Sequence, residues 1–181
     1  MIIVEKHYRQ AEAKDALIEA LHSNLNLLER EPLFLCIGTD RNILDCFGPL
    51  AGTMIREQSP ELLVFGSLEH PLHGKNLRQK LKMIKNDHPS GIEIAIDASV
   101  GREEELGIIK FRHGPLFPGK ALGKRLPAVG EFSIIAMVGI KPEVRNWNSL
   151  GQGSITAVYH MARLLADAIV EWNEYRVSSS S

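Results

Sequence analysis

A chain of 181 residues, 44% apolar and 24% charged, is long enough to bury one sizeable core and has the ordinary composition of a single globular domain. Its formal net charge of −1 gives no electrostatic reason to expect nucleic acid or an anionic membrane as partner. No apolar run approaches the roughly 20 residues that cross a bilayer, Met1–Lys6 turns charged too early for a signal peptide, and two cysteines are too few for a disulfide framework.

These exclusions leave a reduced, cytoplasmic domain over residues 1–177, followed by a serine tail at 178–181 that can bury nothing and is expected to be disordered. Along the chain, Glu12 to Arg30 places Leu17, Ile18, Leu21, Leu25 and Leu28 on one stripe and reads as an amphipathic helix. Leu33 to Ile37 is a short, continuously apolar run closed by Gly38, the pattern of a strand covered on both faces. A polar loop, Thr39 to Asp45, leads to a helix from Pro49 to Glu57. Leu62 to Phe65, closed by Gly66, is a second buried strand. Asn76 to Asn86 is helical with Leu77, Leu81 and Ile84 inward, and Ile92 to Ile96 is a third strand ending in Asp97.

The order α-β-α-β-α-β predicts an α/β domain in which 33–37, 62–66 and 92–96 are parallel neighbours. The pattern then changes. Ile108–Phe111 and Phe132–Val138 read as strands with no helical period between them, so at least one of them is expected to be antiparallel. The Gly- and Pro-rich segment Gly114 to Gly130 separates them. It reads as a functional loop bordering the site, with Phe117 as an apolar contact and Lys120, Lys124 and Arg125 as attractors of acidic groups. Ile155 to Trp172 forms a long closing helical stripe.

Ligands of open α/β sheets bind outside the carboxyl ends of the strands, which selects Gly38–Asp45, Gly66–His73 and Asp97–Gly101. The first lacks the spacing of a phosphate-binding loop. Asp45 or Asp40 there serves either chemistry or the capping of the next helix. Asp97 closes an apolar strand, where a carboxylate is costly unless hydrogen-bonded or paired. Two carboxylates in one cleft can share a proton, one activating water and the other protonating a leaving group, or can hold a divalent metal. His73 and His113 each read as either a cleft residue or a structural one. Cys46 adjoins Asp45, whose charge raises its pKa, and Cys36 reads as core.

Several motifs then occur together: Gly38-Thr39-Asp40-Arg41, Asp45-x-x-Gly48-Pro49, Val64-Phe65-Gly66-Ser67-Leu68, Pro71-Leu72-His73, Ile96-Asp97-Ala98, Gly114-Pro115-Leu116-x-Pro118-Gly119 and Leu126-Pro127-x-Val129-Gly130. In this order they resemble the YyaC-type sporulation proteins, which look like shortened relatives of the spore germination protease. The resemblance implies a three-layer α/β/α sandwich with a mixed, mainly parallel sheet. It also implies an aspartate-dependent peptidase of sporulating cells whose functional aspartates fall on Asp45 and Asp97, with Cys46-Phe47 standing where the protease has Ala-Leu. Gly38, Thr39, Asp40, His73, His113 and Phe117 are the expected substrate-binding residues, and the loop amides after Gly38 are expected to meet an oxyanion. The expected partner is a peptide or protein substrate, with no nucleic acid, membrane, metal or other cofactor, and a homo-oligomer is left open. The alternatives are a non-catalytic binding or assembly protein of the same fold, and a metal-sensing endopeptidase with Asp45, Asp97 and His73 or His113 as ligands.

Overall fold

The apolar runs fold as strands and the amphipathic stretches as helices in a computed structural model that describes residues 1–26, 29–119, 126–141 and 153–178. In chain order the elements are β1 (Ile2–His7), α1 (Ala13–Leu25), β2 (Pro32–Cys36), α2 (Phe47–Gln58), β3 (Leu63–Phe65), α3 (Leu77–Asp87), β4 (Ile92–Gly101), β5 (Ile108–His113), β6 (Phe132–Ile140) and α4 (Ile155–Ser178). One-turn 3-10 helices stand at Ile43–Asp45 and Glu103–Glu105.

The six strands form one sheet in the order β1-β5-β6-β4-β2-β3. β2 is parallel to both β3 and β4, and β4 is parallel to β6, so the three early strands are parallel neighbours as their helical connections require. β5 is antiparallel to β6 and to β1. Alternation along each strand divides the core between two faces. Phe34, Cys36, Ile94, Ile96, Ile134 and Ala136 face α1, α2 and α4. Leu33, Leu35, Ile37 and Ala95 face α3, where Leu77 and Ile84 meet them. Helices on both faces of a mixed, mostly parallel sheet make an α/β sandwich.

One helix cannot cover the second face alone. Leu116 and Val129 complete it, pairing with each other through reciprocal 3.0 Å backbone hydrogen bonds and joining the Leu33–Leu77 cluster. Gly130, at φ +88°, lets this stretch lie directly on the sheet, because a Cβ there would stand 2.9 Å from that of Ala95. At the edge of this layer Arg30 donates to both carboxylate oxygens of Glu131, at 2.8 and 2.7 Å, and to the carbonyls of Ser90 and Gly91. That bidentate fork ties the entries of β2, β4 and β6 together.

Ile2–His7, which carried no structural expectation, is a strand, paired with β5 from Ile2↔Arg112 to His7↔Ile108. Three expectations need correction. α1 ends at Leu25 instead of Arg30, with Asn26 accepting the Trp172 indole N–H at 2.8 Å; Leu28 of the expected stripe lies outside the described residues. α4 continues through Ser178, so that residue is helical and not part of a tail; 179–181 lie outside the described residues, as do Lys120, Lys124 and Arg125. β4 runs five residues past Ile96, to Gly101, because β6 continues to pair with it through Gly101↔Ile140. Asp97 is therefore inside a strand, not after one.

Candidate active site

β2 stops at Cys36, and the chain leaves the sheet through two anchored residues. Ile37 donates to the Ile96 carbonyl at 2.7 Å, and Gly38 donates to the Leu72 carbonyl at 2.9 Å. Gly38 has φ +138°, and a Cβ there would run into the carbonyl oxygen of Asp45. Only glycine lets the loop close on itself here. The closing bond is Thr39 N–H to Asp45 O at 2.9 Å, and the Asn42 side chain caps the 3-10 turn by accepting from Leu44 N at 2.9 Å.

α2 then packs its backbone against the strand ends. A Cβ on Gly48 would collide with the Ile37 carbonyl oxygen, and one on Gly52 with that of Gly66. Pro49 is the third residue of this helix and not the first, which still falls in the turn whose amides have no intrahelical acceptor. These backbone contacts fix the 3-10 turn bearing Asp45 against β4.

Asp97 lies one residue beyond the last β2–β4 pair, Cys36↔Ile96, where β4 loses its neighbour on that side. The connection from β2 runs outward to β3, whereas β4 leads by way of β5 to β6 on the opposite side. Strand order thus reverses between β2 and β4, at the place where α/β sheets open a crevice. Asp45 stands after one of these strands and Asp97 on the other, and both are partly buried. Burial, and then the neighbouring charge of Asp45, hold the Asp97 carboxyl well above the usual carboxylate range, against the pull of the Ala98 N–H that Oδ1 accepts at 2.8 Å. The two aspartates are electrostatically coupled.

Asp45 opens on a cleft of about 480 Å³ whose walls are Thr39, Asp40 and Arg41 on one side and Leu68, Glu69, Pro71, His73, Gly74 and Lys75 on the other. Asp97 is not among the residues that line this cleft. His73 is held by its own backbone N–H to Asn76 Oδ1 at 2.9 Å, and its Nδ1 accepts from Lys75 N at 3.2 Å. The neutral ring therefore carries its proton on Nε2. Gly38, Thr39, Asp40 and His73 gather around Asp45 as their segments suggested. The amides of Gly38 and Thr39 do not serve an oxyanion, however, because the Leu72 and Asp45 carbonyls already use them.

His113 and Phe117 are not brought to the cleft. β5 is antiparallel and carries the chain back to the amino ends of the parallel strands, where His113 pairs with Phe132, its ring 5.0 Å away edge-on. Phe117 follows there and is 57% exposed. The segment's return arm does approach the cleft rim, since Leu126 Cδ1 lies 3.3 Å from where a Cβ on Gly74 would be. Among the described residues no three His, Cys, Asp or Glu side chains form a group that could hold a metal ion, so Asp45, Asp97 and His73 are not a ligand triad. Cys46 is no rival nucleophile: burial first, then Asp45 and Asp40, push its thiol pKa up, and its Sγ donates to Ile43 O at 3.3 Å.

The family model described as "Protein of unknown function (DUF1256)" matches residues 5–168. The chain belongs to the DUF1256 family. It is 31% identical over 178 residues to the uncharacterized protein YyaC of Bacillus subtilis (strain 168), across 94% of this chain and 86% of YyaC. The DUF1256 match runs from within β1 into α4 and so contains every residue of the cleft as well as Asp97. Glu69 and Lys75 belong to the cleft wall although no motif included them; Glu69 falls in the Gly66–His73 strand-end segment and Lys75 two residues beyond it.

Proposed function

We propose that this DUF1256 protein is an aspartate-dependent peptidase in which Asp45 is the base and Asp97 the acid. The observation that carries the reading is the coupling of the two carboxyls at the strand-order reversal, with Asp97 retaining its proton far better than an ordinary carboxylate. Neighbouring acids whose pKa values are driven apart divide the two roles between them. Asp45, facing the cleft, takes a proton from water as the oxygen attacks the peptide carbonyl carbon. Asp97, which does not line the cleft, yields its proton by way of Asp45: Asp45 gives a proton to the departing amine nitrogen as the C–N bond breaks and takes up the one Asp97 releases. A proton passed from Asp45 to Asp97 restores the pair. Arg41 and the His73 Nε2–H are the cleft-wall donors suited to the developing oxyanion.

The sequence motifs support the same pair through their resemblance to the spore germination protease, and on that basis the substrate class is a small acid-soluble spore protein in a sporulating cell. Incubation of the purified protein with such substrates, followed by mass spectrometry, is the test. Discrete cleavage by the wild type and none by Asp45→Asn or Asp97→Asn is expected. A second reading, a binding protein of the same fold, draws on Asp97 not lining the cleft. Binding without cleavage by the wild type, unchanged in Asp97→Asn, would replace the first reading with the second.

A further inference from the structure

Two shallow grooves adjoin on the outer face of α1 and α4, and their charges are sorted by sign. The first, of about 580 Å³, is lined by Tyr8, Arg9, Lys14, His160 and Arg163, with Asp167 as its one carboxylate, paired with Arg163 at 3.0 Å. The second, of about 390 Å³, is lined by Asp15, Ile18, Glu19, His22, Glu171 and Tyr175 and has no lysine or arginine. Their common boundary is the Lys14–Glu171 ion pair, at 2.7 Å. A surface with a basic half and an acidic half about one midpoint is complementary to its own copy turned by half a revolution. A solvated surface that needs no partner intersperses the two signs instead.

We propose that the α1/α4 face binds a second copy of this chain in an isologous twofold dimer. The axis passes near the Lys14–Glu171 pair, so that Arg9 and Arg163 of each copy meet Asp15 and Glu19 of the other. Every such contact is made twice. The apolar content of the face suits this partner: Tyr175 is 52% exposed in the acidic groove, and in the basic one the Arg9 guanidinium lies 5.4 Å over the Tyr8 ring. Tyrosine and arginine are among the side chains enriched at interface centres. No residue of either groove lines the Asp45 cleft, so the dimer leaves that cleft open and does not depend on the peptidase reading.

Sedimentation velocity on the full chain tests the proposal. The wild type should dimerise at about 100 μM in about 0.05 M salt, with the dissociation constant rising about tenfold as salt approaches about 0.5 M. Arg163→Glu and Glu19→Lys should each weaken the dimer by about tenfold or more, by placing like charges opposite one another twice. Mixing the two variants should restore it, because in the heterodimer both contacts are again between opposite charges. This recovery cannot arise from an effect within one chain. If circular dichroism shows that Arg163→Glu has lost helix, Arg9→Glu, in the loop before α1, takes its place. A monomeric wild type under the first condition overturns the proposal, as do single variants that stay dimeric or a mixture that stays monomeric.

Discussion

Replacing Asp97 by Asn separates the carboxyl's charge from its place in the sheet, because the amide oxygen can still accept the Ala98 N–H that now lies 2.8 Å from Oδ1. In the folded chain, burial and the Asp45 charge hold Asp97 well above the value of about 4 expected of a free aspartate. Between those two values the folded chain binds one more proton here than the unfolded chain does. The unfolding free energy therefore falls by about 1.4 kcal/mol for each pH unit climbed through that window. Below about pH 4 both states hold the proton and the slope vanishes; above the raised pKa both have lost it and the full penalty stands. The Asn variant has no such proton. Its stability relative to the wild type should rise with that slope through the same window, so that the variant is the more stable protein at neutral pH while losing peptide cleavage. Urea midpoints of both proteins, taken from about pH 4 to about pH 8, measure the difference directly. A difference that stays flat over this range would refute the raised carboxyl at Asp97 and the division of labour built on it.

Asp45→Asn removes the second cause of that rise, so the Asp97 pKa should fall but stay above the ordinary range, since burial is the larger cause; carboxyl carbon NMR titration reads this, and an unmoved Asp97 means the pair is not coupled. Gly48→Ala should destabilise the protein by about 2 kcal/mol in thermal or urea unfolding. An exposed helix would gain from the same change, but here the new Cβ meets the Ile37 carbonyl oxygen. Glu105, pushed down to about 2 chiefly by the Lys110 ammonium at 2.7 Å and then by the Arg102 N–H, contributes stability above the usual glutamate pKa that is lost as pH falls through the lowered one. Glu105→Gln should therefore cost about 1 kcal/mol at neutral pH once solvent screening is allowed for, with the two proteins converging as the pH falls to about 2.

The elements that sequence reasoning located are those whose side chains repeat a period over a whole element. β2, β3 and β4 announce themselves through unbroken apolar runs, and α4 through a stripe that extends from Val158 to Trp172. β1 does not, because Ile2–His7 is an edge strand whose identity rests on a partner, β5, more than a hundred residues away. The far half of β4 escaped for a related reason: Asp97, Ser99 and Gly101 look like loop residues until β6 pairs with them. Asp45 stands after β2 as the apolar run before it implied, whereas Asp97, read as a strand end, lies within β4 one residue past its last pair with β2. The misplaced His113 traces to the orientation of β5. The missing helix before β6 already implied an antiparallel strand, and such a strand delivers its last residue to the end of the sheet away from the cleft.

The position of α4 governs when the fold can be completed. It lies against both α1 and α2 and gives Val158, Met161, Leu165, Ala166, Ile169 and Trp172 to the larger apolar cluster. On the ribosome, β2, α2 and β4 all emerge before it. Until it arrives, Phe34, Ile55 and Ile94, each fully enclosed in the finished protein, lack the α4 part of their cover and have only α1 and α2 on that side. The nascent chain thus passes through a stage that combines parallel strand pairing, slow because its contacts are non-local, with an open apolar layer that invites association between chains. Chaperone dependence in the cell and inclusion bodies on rapid expression are the outcomes this order of synthesis favours, and they lessen once the last helix docks.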